Sequence, residues 1–391
     1  MRLCALALVS LMTLGTLAPA TADDARLEQE VKELRTRLEA LERALEASRR
    51  ADETRKKAES DRAAAAPARD AKKARKPLLP PTQSAFQAQG YIESRFTNYA
   101  NSRGDERAAG PDFQLSRLRA RLNFAPQEKW LLSLEVNAGT RTDAAAPVDL
   151  REFYFQYLDH NRVVRVGQQR VPFGYQVGSE SSRDRAALER ARVYSILFPN
   201  ERDIGVVYGW NNHIANPGNN PRQPRFTLGV LNGEGINRSD RNQDKSLAGN
   251  VVFPVGHHEL GASFYVGSST ADAFGTHQAN PEKRAVGVEH RFSSHRFHTQ
   301  FEYLFGELFG GEFHGGLVQF LYSTGRTGNF FIRGDVFDPN THRSADFWRR
   351  VSLGWYRDIT PSFRLTTQYD FLRAEGTRFD NTWGIETQLR F

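Results

Sequence analysis

Cysteine is nearly absent from this chain of 391 residues: the single one, Cys4, lies at the very start. Methionine is almost as scarce, at two residues. If the first segment is removed on export, no disulfide, thiolate metal site or cysteine nucleophile remains. Long apolar runs are missing too. After the N-terminal stretch no window approaches the roughly 18 consecutive apolar residues that a membrane-crossing helix needs. Neither His-Glu-x-x-His nor a phosphate-cradling Gly-x-x-x-x-Gly-Lys occurs, and the ten histidines are scattered. These gaps exclude the common hydrolytic, zinc and nucleotide sites. The sequence points to no enzyme, no catalytic residues, no metal and no cofactor. What the chain has in quantity is aromatic: 27 Phe, 12 Tyr and 5 Trp in a polar sequence of net charge +7.

Residues 1–22 run from Arg2 through an apolar stretch to Ala20-Thr21-Ala22, the pattern of a secretory signal peptide. Export argues against nucleic acid as a partner despite the basic balance. Residues 23–62 carry Leu27, Val31, Leu34, Leu38, Leu41 and Leu45 at alternating spacings of four and three, a heptad seam that predicts a coiled-coil helix. A solitary amphipathic helix is the other reading. Residues 63–85, with Lys76-Pro77 and Pro80-Pro81, read as a flexible linker with little apolar surface to bury.

From residue 86 the period becomes two. In Arg117-Leu118-Arg119-Ala120-Arg121-Leu122-Asn123-Phe124 the apolar and cationic residues alternate, which a strand sorts onto opposite faces and a helix does not. The same alternation recurs around Val286–Phe292, Phe297–Phe305, Phe363–Phe371 and Trp383–Phe391. About sixteen segments are predicted, starting near 86, 113, 129, 148, 162, 202, 224, 245, 257, 283, 296, 312, 328, 345, 362 and 380. An even number, aromatics near the ends of the apolar stripes, and connections of alternating length predict an all-β transmembrane antiparallel barrel over 86–391. A two-sheet sandwich also alternates, but it has no use for aromatics at both ends of each stripe. Short turns toward the periplasm would leave the helical arm there. Asn211–Gln223 is long where a short turn is expected, while Gly310-Gly311 and Gly315-Gly316 read as turn or bulge glycines.

One segment, 168–203, is too long for a plain connection, and connections of this length are usually functional. It is predicted to fold inward and narrow the bore, because a barrel of this size leaves an aqueous channel. Its Arg165–Gly174, Ser181-Ser182-Arg183-Asp184, Leu188-Glu189-Arg190 and Arg202-Asp203-Ile204-Gly205-Val206 resemble the phosphate-selective porin O and P family of Gram-negative outer membranes. The resemblance spans roughly 86–391. It implies a homotrimer of sixteen-stranded barrels, a third loop that constricts the pore, and a ladder of arginines in the lumen.

If apolar parity marks lipid, then Arg117, Arg119, Arg121, Arg165, Arg225, Arg291, Arg333, Arg350 and Arg364 point inward, and the loop adds Arg183, Arg185, Arg190 and Arg192. Arginine suits oxyanions because its fork stays charged and donates paired hydrogen bonds. Rings of such side chains favour anions in pores. The expected partners are permeating small anions, outer-membrane lipid and two further copies of the chain. The departure from the family pattern is lysine: only Lys129, Lys245 and Lys283 follow residue 85, which puts strict phosphate preference in question. Two alternatives stand beside this reading. The arginines pair with Glu135, Glu152, Asp184, Glu189, Glu289 or Asp370 and merely brace the wall, or the barrel is an anchor whose coiled coil spaces the outer membrane from the cell wall.

Overall fold

A computed structural model describes Lys32 and residues 86–99, 111–139, 148–211, 222–268, 282–325, 327–343, 346–374 and 380–391. The predicted signal peptide, coiled coil and linker lie outside these residues, Lys32 excepted.

Sixteen strands follow one another: β1 (Phe86–Tyr99), β2 (Pro111–Gln127), β3 (Trp130–Ala138), β4 (Val148–Asp159), β5 (Arg162–Arg170), β6 (Arg202–Trp210), β7 (Arg225–Leu231) and β8 (Ser246–Val255). The second half is β9 (His258–Ser268), β10 (Glu282–Ser293), β11 (Phe297–Leu308), β12 (Gly311–Ser323), β13 (Asn329–Asp338), β14 (Trp348–Thr360), β15 (Phe363–Ala374) and β16 (Asp380–Arg390). Each pairs antiparallel with its neighbours, and β16 returns to β1 with Tyr91 opposite Arg390 and Tyr99 opposite Thr382. Closure leaves no unpaired strand edge, which is what a sheet surrounded by hydrocarbon requires.

The alternation in the sequence becomes an outside and an inside. Phe226, Phe253, Leu260, Phe301, Phe320, Ile332 and Leu353 are all exposed on the outer surface, whereas their chain neighbours Gln300, Glu302, Gln319 and Arg333 are buried within. Aromatic rings gather at both ends of the outer stripe. Trp130 packs on Tyr157 with ring centroids 4.8 Å apart and Phe297 on Tyr322 at 4.9 Å, while Phe96 meets Phe113 at 4.7 Å at the opposite end. Such amphipathic rings suit the two membrane–water boundaries.

Keeping that sorting along β2 takes a bulge. Phe113 and Leu115 share odd parity with Arg117, Arg119 and Arg121, so a regular strand would turn one set to the wrong side. The register against β1 shifts between Glu93, opposite Arg117, and Ser94, opposite Leu115, so that Ser116 is the extra residue. Below it the outward residues are Leu122 and Phe124, above it Phe113 and Leu115. One inserted residue thus holds grease outside and guanidiniums inside. A second shift, between Glu135 and Val136 against β4, buries the adjacent Arg151 and Glu152 together.

Two connections need comment. β6 ends at Trp210 and β7 starts at Arg225, so a long connection does stand where the alternation calls for a short turn. At the other end β11 and β12 are joined by Phe309 and Gly310 alone, both at positive φ (54° and 82°), the conformation of a tight primed hairpin turn. Gly310 is therefore a turn glycine, as expected. Gly315 and Gly316 are not turn or bulge glycines but interior residues of β12.

Candidate functional site

The predicted inward loop is narrower than 168–203. Gln168–Arg170 continue β5 and pair with Arg202–Ile204 of β6, which leaves 171–201 as the connection. It holds two short helices, α1 (Gly174–Gly178) and α2 (Arg192–Leu197), and a 3₁₀ turn at Pro199–Glu201.

One side of this segment is apolar and finds an apolar seat. Phe173, Val177, Val193 and Tyr194 are fully buried, and they join Leu197 and Phe198 against Leu231, Ala248, Tyr265, Ala285, Leu304, Phe313, Leu317 and Phe337 of the inner wall. Burial of this kind contributes roughly 25 cal/mol per Å² of apolar surface and fixes the loop without any ionic contact. Two wall glycines make room. A Cβ on Gly315 would stand 3.0 Å from the side chain of Val193, and one on Gly384 would stand 2.8 Å from Leu188.

Polar groups of the wall then take up the backbone donors that the loop brings inside, as any buried N–H demands. Glu302 accepts from the amides of Tyr175 (2.9 Å) and Gln176 (3.4 Å), from the Tyr194 hydroxyl, and from Gln300 Nε2 at 2.6 Å. Asp335 accepts from the Arg192 amide at 3.2 Å, Gln368 from Leu188 at 2.8 Å and Ser263 Oγ from Gly174 at 2.9 Å. Gly174 itself sits at φ +59°, with Glu302 and Tyr194 3.0 Å from where a Cβ would be, so only glycine fits this bend.

The other side of the loop meets a charged wall. Arg117 pairs with Glu93, and Arg121 pairs with Glu135 (2.7 Å) and Glu152 (2.8 Å). Arg190 pairs with Glu201, Arg291 with Glu259, Arg364 with Asp358 (2.8 Å), and both Arg333 (3.4 Å) and Arg350 (3.0 Å) with Asp335. Arg225 reaches Glu259 at 2.8 Å. The bracing alternative describes these eight. Five others have no ion pair among the described residues. Arg119 is buried and donates to Ser182 Oγ (2.7 Å) and Asn137 Oδ1 (3.2 Å). Arg165 donates to Gln156 at 2.7 Å and lies over the Tyr154 ring. Arg185 donates to the carbonyls of Ala187 and Leu188. Arg183 is half-buried, and Arg192 is exposed beside Trp348.

Further arginines escaped the sequence reading, among them Arg95 of β1, which pairs with Glu189 (2.6 Å) and Glu386 (2.7 Å), and three beside the ends of the loop. Arg202, 1% exposed, binds Glu152 (2.9 Å) and Glu201 (2.5 Å), Arg170 reaches Glu152 at 3.4 Å, and Arg151 reaches Glu201 at 3.5 Å. Arg202 was on view in the quoted Arg202-Asp203 pair, but Arg151 needed the bulge beside it. Of the carboxylates expected to brace the wall, Glu135, Glu152 and Glu189 do so. Glu289 instead accepts from Ser263 and Asn250, and Asp370 from Ser352 and Gln368. In the loop, burial works against ionisation of Glu201, yet Arg190, Arg202 and Arg151 together hold its carboxyl well below the usual range. Glu189 is held down in the same way by Arg95, Arg185 and Arg117. For Glu180 burial wins, and its pKa is raised despite Arg185 and Arg190.

Space remains beneath the loop. A cavity of about 390 Å³ is bounded by Tyr175, Glu180, Arg185, Arg291, Gln300, Gln319 and Tyr356. A smaller one of about 60 Å³ lies between the loop and β5–β8, beside Arg165, Arg170, Arg225 and Asn250. Among the described residues no group of three or more His, Cys, Asp or Glu is placed to hold a metal.

A closed barrel with an apolar outer stripe, aromatic ends and a loop folded into its bore is the architecture of an outer-membrane channel. The chain belongs to the phosphate-selective porin O and P family, whose model matches residues 86–293. No curated protein sequence matches it. Solved structures similar in fold include the outer-membrane channel DcaP of Acinetobacter baumannii, at 15% identity and a TM-score of 0.56 over 78% of this chain and 97% of that one. OmpT of Vibrio cholerae, folded in vitro and described as a trimer form, gives 10% and 0.57 over 78% and 99%. OmpF of Salmonella typhi, complexed with daunomycin, gives 9% and 0.59 over 78% and 97%. At such identities the likeness is one of fold.

Proposed function

We propose that the barrel is a passive, water-filled porin that favours small anions, phosphate or other oxyanions among them, through the arginines of its lumen and of the loop 171–201. The observation that carries this reading is the division among the inward arginines. Of the thirteen expected from the sequence, eight are held by carboxylates and give the wall its rigidity, while Arg119, Arg165, Arg183, Arg185 and Arg192 have no ion pair among the described residues and bring positive charge to the loop and the wall facing it. Conduction needs weak and repeated capture, which a row of such groups supplies better than one deep trap.

By the same reading the chain assembles as a homotrimer, residues 1–22 are a signal peptide, and residues 23–62 form a periplasmic coiled coil joined to the barrel by 63–85. A coiled coil of three heptads is marginal alone and gains from chains already held together. The arginines Arg117, Arg121, Arg190, Arg291, Arg333 and Arg364 serve the channel by fixing its shape, with their charge largely spent.

The test is a titration of inorganic phosphate into a chloride current carried by the reconstituted protein. Block that saturates, and that weakens when Arg119 and Arg183 are replaced by glutamine, supports oxyanion capture. A current indifferent to phosphate removes phosphate from the account.

A further inference from the structure

At the mouth where the long connections lie there is a second cavity, of about 210 Å³, separate from the space beneath the loop. Its walls are the outer end of the loop, the first residues of β6 and β10, the β7–β8 connection and the Phe309 turn. The apolar part includes Ile196, Leu197, Phe198, Leu308 and Phe309, with the buried Tyr265 beside them. Lys283 stands among them. Its ammonium donates to the Leu197 carbonyl at 2.7 Å and lies 4.5 Å and 4.3 Å from the ring centres of Phe198 and Tyr265.

The hydrogen-bonding groups a ligand can use are those not already engaged. Glu201 is taken by Arg190 and Arg202, and Arg202 in turn by Glu152. Asp203 faces Lys283 and offsets part of its charge, but its two oxygens already accept from the amides of Ile204 (2.7 Å) and Gly233 (2.8 Å), and it makes no ion pair among the described residues. Glu234 is buried and has a partner of its own. The groups left with free donors are both cationic: Lys283 has three N–H donors and uses one on Leu197, and the exposed Arg238 at the rim has no ion pair among the described residues.

We infer that this cavity is a capture site for a small organic monocarboxylate with an apolar body, the carboxylate on Lys283 and Arg238 and the body against Phe198, Phe309 and Ile196. A free phosphate would have to shed water against apolar walls that return no hydrogen bonds, which is costly. A cationic amphiphile would meet the Lys283 ammonium head-on. An apolar pocket with a few convergent polar groups is the usual form of a small-molecule site. The inference goes beyond the channel reading and does not need the lumen to favour anions.

Calorimetry on the folded full-length protein in detergent tests it, with hexanoate as the probe and acetate, hexylamine and inorganic phosphate as comparators. Saturable hexanoate binding is expected, about tenfold or more tighter than acetate or hexylamine, and weakened about tenfold by Lys283→Met, as loss of a charge-assisted hydrogen bond in an apolar site implies. Heat-modifiable mobility on a gel shows whether K283M folds. If it does not, Arg238→Glu at the exposed rim decides, with several-fold weaker binding expected. Hexanoate binding no tighter than acetate or hexylamine, or affinity unchanged in folded K283M or in R238E, overturns the proposal. Because calorimetry reads no current, a lumen without anion preference leaves this result standing, and the reverse holds as well.

Discussion

The two sides of the barrel interior hold the same loop by opposite chemistry. Toward β7–β13 the contact is mainly apolar: Phe173, Val193, Tyr194 and Leu197 lie on Leu231, Ala285, Leu304 and Leu317, and polar groups interrupt it at Glu302 and Asp335, at Arg291 over the Tyr175 ring and at Arg333 on the Glu189 carbonyl. Toward β1–β6 and β14–β16 it is ionic, with Arg121, Arg190 and Arg202 interleaved with Glu135, Glu152 and Glu201. The apolar side sets where the loop sits. The ionic side sets what a permeating ion meets, since buried pairs repay their desolvation poorly as stabilisers and hold charge in register instead. A loop seated by grease on one side leaves the other free to carry charge.

Removing Glu152 should be the most damaging single change, because Arg121, Arg202 and Arg170 all lean on it. Glu152→Ala is expected to cost about 3–5 kcal/mol by stranding buried charge. The midpoint temperature of heat-modifiable gel mobility would show it. On the apolar side Phe173→Ala is expected to cost about 3–5 kcal/mol at most, by cavity formation. Its distinguishing mark is conductance: a loosened loop should widen the bore and raise single-channel current, whereas an unchanged current would mean the loop does not gate passage.

Acid should act on the loop through its own carboxylates. Glu189 and Glu201 have folded pKa values below the ordinary 4.5, so their contribution is whole above that pH and is lost as the pH falls from 4.5 toward the folded values. Thermal midpoints measured between pH 6 and pH 3 should decline only below about 4.5, and Glu201→Gln should flatten that decline. A smaller effect is expected from Arg183→Ala. With no ion pair to lose, it should change stability by under about 0.5 kcal/mol and shift ion preference toward cations.

Much of this architecture was legible in the chain. The switch to period two at residue 86 marks β1, and the predicted starting residues fall within three of those observed, because a strand between lipid and polar bore must alternate. The count of sixteen and the long connection after β5 follow from the same pattern. The bulge at Ser116 was visible only as a conflict of parity between Phe113 and Arg117, and the alternation alone does not say where the extra residue falls. The apolar seat had a signal as well: Gly315-Gly316-Leu317-Val318 has no polar parity, as expected of a strand covered on both faces.

Arginine partners were beyond reach for a different reason. Whether Arg121 is spent or free depends on its standing opposite Glu135, which in turn faces Glu152. That is a matter of register across three strands, and local sequence does not encode it. Arg119, two residues away on the same face, meets Asn137 instead.

The central claim is that the loop-crossed bore conducts and prefers anions, and the zero-current potential of the protein in a planar bilayer under a KCl gradient tests it most directly. The account predicts a potential of the sign set by chloride, diminished in an Arg119→Gln, Arg165→Gln double variant. A potential of the sign set by potassium would contradict it.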